Sequence, residues 1–407
     1  MESLGESPGE FQQLMVSLLP LDDAQAQLLA LAPKMATETI AVEAALGRVL
    51  GDDLQANRTQ PPADLSAMDG YALGAGDGPW RLIGESRAGA PYLGSLDASE
   101  TVRISTGAHL PSGADRVLIQ ENADVAGGEI TAQSFPSQGQ HVRPQGFDFA
   151  AGDTVLAKGT RIGPAQLALA MSAGHASLSV SRMPKLAVLD SGDELAANPE
   201  ECAPDQIPAS NGAMIAAMIA PLVGSVTRIG PIADDCYALA DALHEAEDCD
   251  ILITSGGASV GDHDLVQPAL QDWGADIAFW KVAIRPGKPL MVATKGNRVV
   301  LGLPGNPVSS FVTCFLFALP LIRASLGIDD PLPKPVPATI RGSLGATSHR
   351  RAFLRGVIGG GEVREAASQD SSALRSLAEA NCLIDRPANS PATVAGEQVS
   401  VFPLING

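Results

Sequence analysis

Short runs of apolar residues alternate with helical patterns between residues 185 and 327. The segments KLAVLDS and ILITS are nearly continuous in apolar residues, whereas residues 209–224 and 237–248 place apolar side chains at helical spacing. Apolar strands separated by helices are typical of a mostly parallel sheet that is covered on both faces. We therefore predict an α/β domain here, with ligands bound beyond the C-terminal ends of its strands.

The flanking segments have different patterns. From about Asp52 to Val155, short segments such as VRIST and VLIQE are separated by Gly, Pro and Asn turns, which predicts a mainly β insertion. Apolar residues at helical spacing predict helices over residues 40–50 and 163–175. After the Pro-rich stretch DDPLPKPVP, short alternating segments predict a small C-terminal β domain.

The length of the chain allows several domains. At roughly 100–200 residues per domain, 407 residues have room for two to four of them. We predict a multidomain fold of the α/β plus β class with four parts. These are a linking helical and β domain (26–50 and 145–180), a β-rich insertion domain (51–144), the central α/β domain (10–25 and 181–328) and a C-terminal β domain (329–407).

Composition and charge restrict the partners. The formal net charge of −19 repels phosphate backbones and anionic membranes, so we expect neither nucleic acid nor a membrane as a partner. Residues 1–10 lack the basic and apolar pattern of a signal peptide, and the apolar run 311–322 is shorter than the ~20 residues of a membrane span, so it predicts a buried helix. The five cysteines form no CxxC pair, which argues against disulfides and zinc and predicts a cytoplasmic location.

Acidic residues follow three of the predicted strands. They are Asp193 and Glu194, Asp234 and Asp235, and Asp262 and Asp264. Because the C-terminal ends of parallel strands meet at one edge of a sheet, we expect these acids to converge on one crevice, where they can hold a hydrated magnesium ion or transfer protons. For any single acid the alternative is a helix N-cap or a solvated loop charge. For the three pairs together we favour a functional site.

A glycine-rich loop and a basic segment are candidates for anion binding. The loop SGGASVG (255–261) can bring backbone N–H groups close to a phosphate, although glycines in such a place serve tight turns at least as often. The segment KVAIRPGKP places Lys281, Arg285 and Lys288 in a turn that its prolines and glycine fix. A cluster of cations usually marks a solvated face. Against the acidic background of this chain we favour a directed anion site.

Two segments of the predicted insertion carry acids that by themselves indicate only turns. DLSAMDGYAL contains Asp64 and Asp69, and HVRPQGFDF contains Arg143 and Asp148. The scattered histidines lack metal-ligand spacing, and neither a Ser-His-Asp nor a Cys-His arrangement is apparent. Covalent catalysis is therefore not predicted.

Six segments, in this order and spacing, resemble the motifs of the molybdopterin molybdotransferase family, which comprises the MoeA proteins and the E domain of gephyrin. They are AMDGYA, RISTGAHLPSGAD, SGDEL, ITSGGASVGDHD, FWKVAIRPGKP and GLPGNPVSS. The resemblance extends from about Pro20 to the C-terminus. Each motif alone is weak evidence, whereas six in order are difficult to explain by coincidence.

The resemblance implies a fold, an assembly and a reaction. It implies an elongated homodimer of four-domain subunits, in which the insertion of one subunit faces the central and C-terminal domains of the other across the active cleft. The implied reaction takes molybdate and adenylylated molybdopterin, a small-molecule pterin, and with Mg²⁺ releases AMP and the metal-loaded cofactor. Transient contact with other enzymes of molybdenum-cofactor synthesis would follow from that role.

Matching the motifs position by position gives candidate site residues. The implied catalytic residues are Asp64, Thr106, Asp148, Glu194, Asp234 and Asp264. With the glycine-rich loop included, the candidates for substrate binding are Gly256, Gly257, Ser259, Lys281, Arg285, Lys288, Pro304 and Pro307. The candidates for molybdate binding are Lys288, Arg355 and Ser371, because a dianion needs charged donors and hydroxyl groups at fixed positions. The candidates for magnesium binding are Asp234 and Asp264.

The chain departs from the family pattern at several positions. Ser191 replaces the threonine of the TGDEL motif but keeps its hydroxyl group, and Phe147 stands in the middle of the GED motif. Ala209 replaces the usual Asp before Ser-Asn, and Arg285 replaces the first lysine of KPGKP. The essential acids and Lys288 are kept, so we predict an active enzyme.

Two alternatives to this function remain at the level of sequence. A related adenylyltransferase of the same pathway would share the central domain but lack the insertion and the C-terminal domain, both of which are predicted here. A non-catalytic scaffold like the receptor-clustering form of gephyrin would have a long linker and a fused second domain, which this sequence does not contain.

Overall fold

The computed structural model of the chain describes residues 18–256 and 265–404. These residues divide into a larger unit, formed by the described residues up to Thr37 and those from Ser181 onward, and a smaller unit, Glu38–Val180. The larger unit contains most of the predicted central and C-terminal domains, and the smaller unit contains the predicted insertion. The finer division into four domains stays a prediction.

The main sheet of the larger unit confirms the predicted α/β arrangement. Its six strands follow the spatial order Ser225–Ile232, Lys185–Ser191, Ile251–Ser255, Arg298–Leu303, Pro289–Lys295 and Asp276–Lys281. The first four strands are parallel to one another, and the remaining pairs are antiparallel. Every residue of Ile251–Ser255 is buried, as an apolar strand covered on both faces requires.

Helices follow the strands of this sheet. The two helices predicted from apolar spacing are confirmed as Asn211–Ile219 and Cys236–Glu245. The remaining short elements of this unit are the helices Leu21–Ala30, Val266–Asp272 and Leu374–Glu379, the 3-10 turns Pro199–Glu201, Ala220–Leu222 and Ala246–Asp248, and the paired strands Leu195–Ala196 and Ile207–Pro208.

The apolar segment predicted as a buried helix belongs to one continuous helical stretch, Pro307–Ser325. It consists of Pro307–Thr313, the π-helical turn Cys314–Ala318 and Leu319–Ser325. By length and composition this stretch could cross a membrane, with a mean hydropathy of 1.6, but 89% of its most apolar part is buried inside the protein. It therefore serves as a core helix. Asn306 occupies the N-cap position of this stretch, but its side chain forms no capping hydrogen bond.

The C-terminal part of the larger unit is a small β structure, as predicted. Its strands follow the order Ile284–Arg285, Arg351–Gly359, Glu362–Glu365, Val336–Ile340, Gln398–Pro403 and Cys382–Arg386. The last of these strands also pairs with Arg351–Gly359, which closes five strands into a ring. Closure leaves these strands without a free edge around the ring.

The smaller unit is mainly β, as predicted for the insertion. Its sheet has the order Ala114–Ile119, Gly70–Gly74, Glu100–Ile104, Trp80–Ser86, Glu129–Ala132 and Ala123–Ala126. The unit also contains the helix Pro164–Ser172, which confirms the helix predicted over residues 163–175, and the 3-10 turn Gln120–Asn122. Short antiparallel ladders join Leu65–Ser66 to Val142–Arg143 and Leu54–Gln55 to Thr154–Leu156.

The prediction of a helix over residues 40–50 is wrong. The segment begins in the strand Thr37–Ala41, which pairs with Ser177–Ser181, and continues as the 3-10 turn Val42–Ala44. Its apolar side chains enter a core shared with Leu178 and Val180, and the Leu50 N–H donates to the Thr160 carbonyl at 3.0 Å. The backbone of this segment forms hydrogen bonds with residues that are distant in sequence. Apolar spacing alone therefore predicted the wrong element.

Candidate active site

Three carboxylates meet at the C-terminal ends of two neighbouring parallel strands. Asp193 and Glu194 follow the strand Lys185–Ser191, and Asp234 follows the strand Ser225–Ile232. The Asp193 Oδ1 accepts a hydrogen bond from the Asp234 N–H at 3.1 Å, which ties the two loops together. The predicted convergence of acids is confirmed at these two strands, whereas Asp262 and Asp264 lie outside the described residues.

The charges of these carboxylates act on one another. Partial burial raises the pKa of Asp234, and the negative charges of Asp193 and Glu194 raise it further. A cation would stabilise such a group of like charges. Within residues 18–256 and 265–404, no cluster of three or more His, Cys, Asp or Glu side chains is arranged to hold a metal. A divalent ion at Asp234 would therefore take further oxygen ligands from water, substrate or other parts of the chain.

Asp235, the next residue, has the structural role that the sequence left as the alternative. Its Oδ1 accepts hydrogen bonds from the N–H groups of Tyr237 and Ala238, both at 3.0 Å, and caps the helix Cys236–Glu245. Asp234 and Asp235 are thus adjacent acids with different surroundings. They form a matched pair for mutagenesis.

A cavity of about 80 Å³ lies at the ends of the parallel strands. Its lining includes three of the predicted site residues, Glu194, Gly256 and Pro307, together with Asp190 and Asn211. Gly256 has a φ of +103°, a backbone conformation that L side chains rarely adopt, so the turn depends on glycine here. The cavity therefore brings together predicted residues from three separate motifs.

A larger cavity, of about 630 Å³, lies where the basic segment meets the C-terminal strands of the same unit. Arg285, Lys288 and Ser371 line it, as does Ser309 near the start of the core helix. Arg285 and Lys288 are exposed, so both cations are accessible to a ligand. The predicted anion site and two of the three candidates for molybdate binding, Lys288 and Ser371, thus share one cavity.

The turn that carries these cations is held by a backbone hydrogen bond and by close packing. The Val282 N–H donates to the Lys288 carbonyl at 2.8 Å, and Gly287 between them has a φ of +98°. A side chain at Gly287 would lie 2.6 Å from the Thr313 Cγ2 of the core helix. Close packing of this turn on the helix fixes the backbone on which Arg285 and Lys288 stand.

Arg355, the third candidate for molybdate binding, is fully buried and is not among the residues that line the larger cavity. Its Nη2 donates to the carbonyls of Ser368 and Asp370, at 2.7 and 2.9 Å. It therefore fixes the loop that carries Ser371. The Nε and Nη1 of Arg355 have no hydrogen-bond partner in the described part of the chain, and burial lowers the pKa of its guanidinium. Direct binding of molybdate by Arg355 stays a prediction.

The larger cavity also has lining residues that sequence reasoning missed. Arg350 adds a third cation, and Thr347 and Ser348 add hydroxyl groups from the same loop. Glu365 also lines the cavity, and burial raises its pKa. No spacing in the sequence linked these residues to the basic segment, because pairing of the strand Ile284–Arg285 with Arg351–Gly359 brings them there.

The remaining candidates for substrate binding have separate positions. Gly257 and Ser259 lie outside the described residues. Pro304 is buried just before the core helix, and Lys281 ends the strand Asp276–Lys281 and lines neither cavity.

The candidates Asp64, Thr106 and Asp148 lie in the smaller unit, where all three are exposed. The Asp64 Oδ1 accepts a hydrogen bond from the Gln145 N–H at 2.8 Å. The N–H and hydroxyl of Thr106 donate to the Asp69 Oδ1 at 2.7 and 3.0 Å, and these bonds lower the pKa of Asp69. Asp69 therefore positions Thr106, a role that its place in the motif did not reveal.

A parallel sheet with carboxylates and a cation-lined cavity in one unit is typical of an enzyme that acts on anionic substrates. Three family models match the chain: the MoeA N-terminal region (domain I and II) at residues 19–174, a probable molybdopterin binding domain at 187–324, and the MoeA C-terminal region (domain IV) at 337–404. The chain belongs to the MoeA family. This membership confirms the predicted class, a transferase of molybdenum-cofactor biosynthesis.

Individual relatives agree with this assignment. The chain is 35% identical to molybdopterin molybdenumtransferase 2 of Mycobacterium tuberculosis (strain ATCC 25618 / H37Rv), over 90% of this chain and 95% of the relative. It is 33% identical to molybdopterin molybdenumtransferase of Haemophilus influenzae, over 95% and 99%. A crystal structure of the molybdopterin biosynthesis MoeA protein of Pyrococcus horikoshii OT3 is similar, with a TM-score of 0.83 and 26% identity, over 95% of this chain and all of that one.

Proposed function

We propose that the chain inserts molybdate into adenylylated molybdopterin and releases AMP. The observation that carries this proposal is the larger cavity. In a chain with a net charge of −19, it collects Arg285, Lys288 and Arg350 together with hydroxyl groups. Fixed cations in an acidic protein attract a dianion locally, and charged donors bind it more strongly than neutral ones.

The first turn of the core helix borders both cavities. Pro307 lines the smaller cavity and Ser309 the larger one, while the Val308 N–H donates to the Ser371 carbonyl at 3.0 Å. A substrate bound across this turn would place one part of the molecule at the strand ends and another part next to the bound molybdate. This arrangement supports binding of the pterin and the molybdate at neighbouring places.

The cationic and the acidic residues of the site would have different roles. Lys288 and Arg285 would bind molybdate, and the Ser371 hydroxyl would orient one of its oxygens. Asp234, with Asp264, would hold magnesium, because partial burial and the negative charges of Asp193 and Glu194 raise the pKa of Asp234, and a bound cation would offset both effects. When bound, the ion would place positive charge near the substrate phosphates. Asp193 would fix the loop of Asp234 through its backbone hydrogen bond.

The proposed function is tested by following AMP. Purified protein is mixed with adenylylated molybdopterin and magnesium, and AMP is measured by chromatography with and without molybdate. We expect AMP release only when molybdate is present, and sulfate at the same concentration serves as the control for a tetrahedral dianion. AMP release that does not depend on molybdate would refute the proposed reaction.

The homodimer implied by the family resemblance belongs to the same proposal. Asp64, Thr106 and Asp148 are exposed on the smaller unit, as expected if they face a cleft formed with a second subunit. Light scattering should give a mass near twice the 41.8 kDa of one chain. A fully active monomer would exclude a cleft built from two subunits.

A further inference from the structure

The larger cavity, which collects cations, is also lined by a carboxyl group that the proposed function does not use. Glu365 is partly buried and lines this cavity together with Arg285, Lys288 and Arg350. Within the described part of the chain, the Glu365 side chain forms no hydrogen bond and no ion pair. An ionised carboxylate repels a dianion, so a carboxyl group among the cations of an anion site calls for a physical reason.

The backbone holds this carboxyl group on the cavity wall without a side chain across from it. Glu365 ends the strand Glu362–Glu365 and pairs with Gly356 of the strand Arg351–Gly359. A Cβ at Gly356 would lie 2.8 Å from the Ile384 Cγ1, so a larger residue does not fit there. No side chain therefore stands directly opposite Glu365, and its carboxyl group can contact a ligand in the cavity.

The charged groups around Glu365 come from four parts of the chain. They are Arg355 on the paired strand, Arg285 and Lys288 on the basic turn, Arg350 just before the paired strand, and Asp370 on the loop that carries Ser371. Glu362 and Arg364 belong to the same strand as Glu365, but alternation along a strand directs them to its other face. Cations therefore predominate on the side of the cavity.

The two carboxyl groups of the cavity differ in their protonation. The Asp370 Oδ1 accepts hydrogen bonds from the N–H and the hydroxyl of Ser372, at 2.9 and 2.6 Å, and these bonds lower the pKa of Asp370. Burial raises the pKa of Glu365, and the charge of Arg355 offsets only part of this effect. Of the two groups, Glu365 is thus the one that takes up a proton at the higher pH.

A proton on Glu365 changes which oxyanion the cavity can bind. Molybdate carries no proton at neutral pH, so its oxygens only accept hydrogen bonds. A protonated carboxyl group donates to such an oxygen, whereas an ionised carboxylate repels it. Hydrogen phosphate carries its own proton and could donate to an ionised Glu365 instead. In both cases one proton lies between the carboxyl group and the bound anion.

We propose that Glu365, in its protonated form, donates a hydrogen bond to molybdate in the larger cavity, so that binding of this dianion takes up one proton. Glu365 is then a specificity-determining residue, because it accepts a proton-free dianion only together with a proton. This inference rests on the proposed function, since it concerns the same molybdate site.

The test follows molybdate binding to the full chain by calorimetry, at a series of pH values from mildly acidic to mildly alkaline. In the wild type, the affinity should fall as the pH rises and approach a loss of about tenfold per pH unit once Glu365 is ionised, because each binding event then takes up a proton. In Glu365→Gln, whose amide donates at every pH, the affinity should stay constant and exceed that of the wild type at alkaline pH. The same pH dependence in both proteins, or none in the wild type, would overturn the proposal.

Two matched variants remove nearby titratable groups that do not line the cavity. Glu362→Gln changes the exposed carboxyl group at the start of the same strand, and His349→Gln removes the exposed imidazole next to Arg350. Both variants should keep the pH dependence of the wild type. Loss of the pH dependence in either one would assign the proton to another group and refute the proposal.

A measurement on the wild type alone decides the question even if Glu365→Gln does not fold. The heats of binding in two buffers with different ionisation enthalpies give the number of protons taken up. At alkaline pH this number should be about one for molybdate and about zero for hydrogen phosphate. No uptake with molybdate, or equal uptake with both anions, would contradict the proposal.

These titrations contain no pterin, so their outcome is separate from that of the AMP assay. Molybdate that binds without proton uptake would refute the role of Glu365 and leave molybdate-dependent AMP release intact. Molybdate that does not bind at any pH would refute the role of Glu365 together with the molybdate site itself.

Discussion

Replacing Asp234 by Asn is expected to lower molybdate-dependent AMP release by about a hundredfold or more. Asn keeps the size of the side chain but removes the negative charge that a hard cation or a proton transfer requires, and such groups typically contribute this much or more. Asp234 stands with Asp193 and Glu194 at the strand ends, where its pKa is raised. The measurement is the rate of AMP release at saturating magnesium and molybdate.

The same variant should be at least as stable as the wild type at neutral pH. A carboxyl group whose pKa is raised in the folded state contributes stability below its unfolded pKa, and this contribution is lost as the pH rises through the folded pKa. Because Asn does not ionise, the Asp234→Asn variant does not lose this stability as the pH rises. Its Tm should therefore exceed or equal that of the wild type at pH 7, and the difference should vanish in acid, below the ordinary pKa of Asp.

Asp235→Asn is the matched control for Asp234→Asn. Asp235 caps a helix through its side chain, and Asn caps nearly as well as Asp. This variant should keep both activity and Tm. Full activity in Asp234→Asn would show that Asp234 takes no part in the chemistry. An equal loss of activity in both variants would contradict a special role for Asp234.

Replacing Lys288 by Ala should raise the molybdate concentration for half-maximal activity about tenfold to a hundredfold. The substitution removes a charged donor from the larger cavity, and a hydrogen bond to a charged group is worth about 1.5–3 kcal/mol. The side chain is exposed, so the fold should persist. The measurement is a molybdate titration of AMP release, with a thermal melt of each protein.

Two further variants separate a specific contact from a change in overall charge. Lys334→Ala removes the same charge from a side chain that is 75% exposed and pairs only with Asp330 among the ion pairs of the described residues, so it should leave the titration unchanged. Lys288→Arg keeps the charge and should lose less than Lys288→Ala. Equal shifts in Lys288→Ala and Lys334→Ala would show that only net charge matters.

The sequence predicted those parts of the fold that depend on local pattern. Continuous apolar strands indicated a parallel sheet, and sheets of this kind bring the ends of neighbouring strands together, so Asp193 and Asp234 could be expected to meet. The segment 40–50 failed because its apolar positions meet a core made by residues far along the chain, including Leu178 and Val180. Apolar spacing does not encode such partners.

Residues of the candidate site could be predicted only where a single motif also fixes its own backbone conformation. The basic turn with Arg285 and Lys288 is such a motif, since proline and glycine fix its backbone. Arg350 reaches the same cavity through strand pairing between Arg351 and Ile284, a contact that no spacing in the sequence indicates. The burial of Arg355 was equally unpredictable, because it depends on the loop that folds over it.

The measurement that tests the central claim most directly is the position of molybdate in a crystal of this protein. A crystal soaked in molybdate gives anomalous scattering from molybdenum, which locates the bound ion without assumptions about the protein. We expect the strongest peak in the larger cavity, within hydrogen-bond distance of Lys288 and Ser371. A peak at another place in the molecule, or no peak in this cavity at saturating molybdate, would contradict the assignment of this cavity as the site of molybdate transfer.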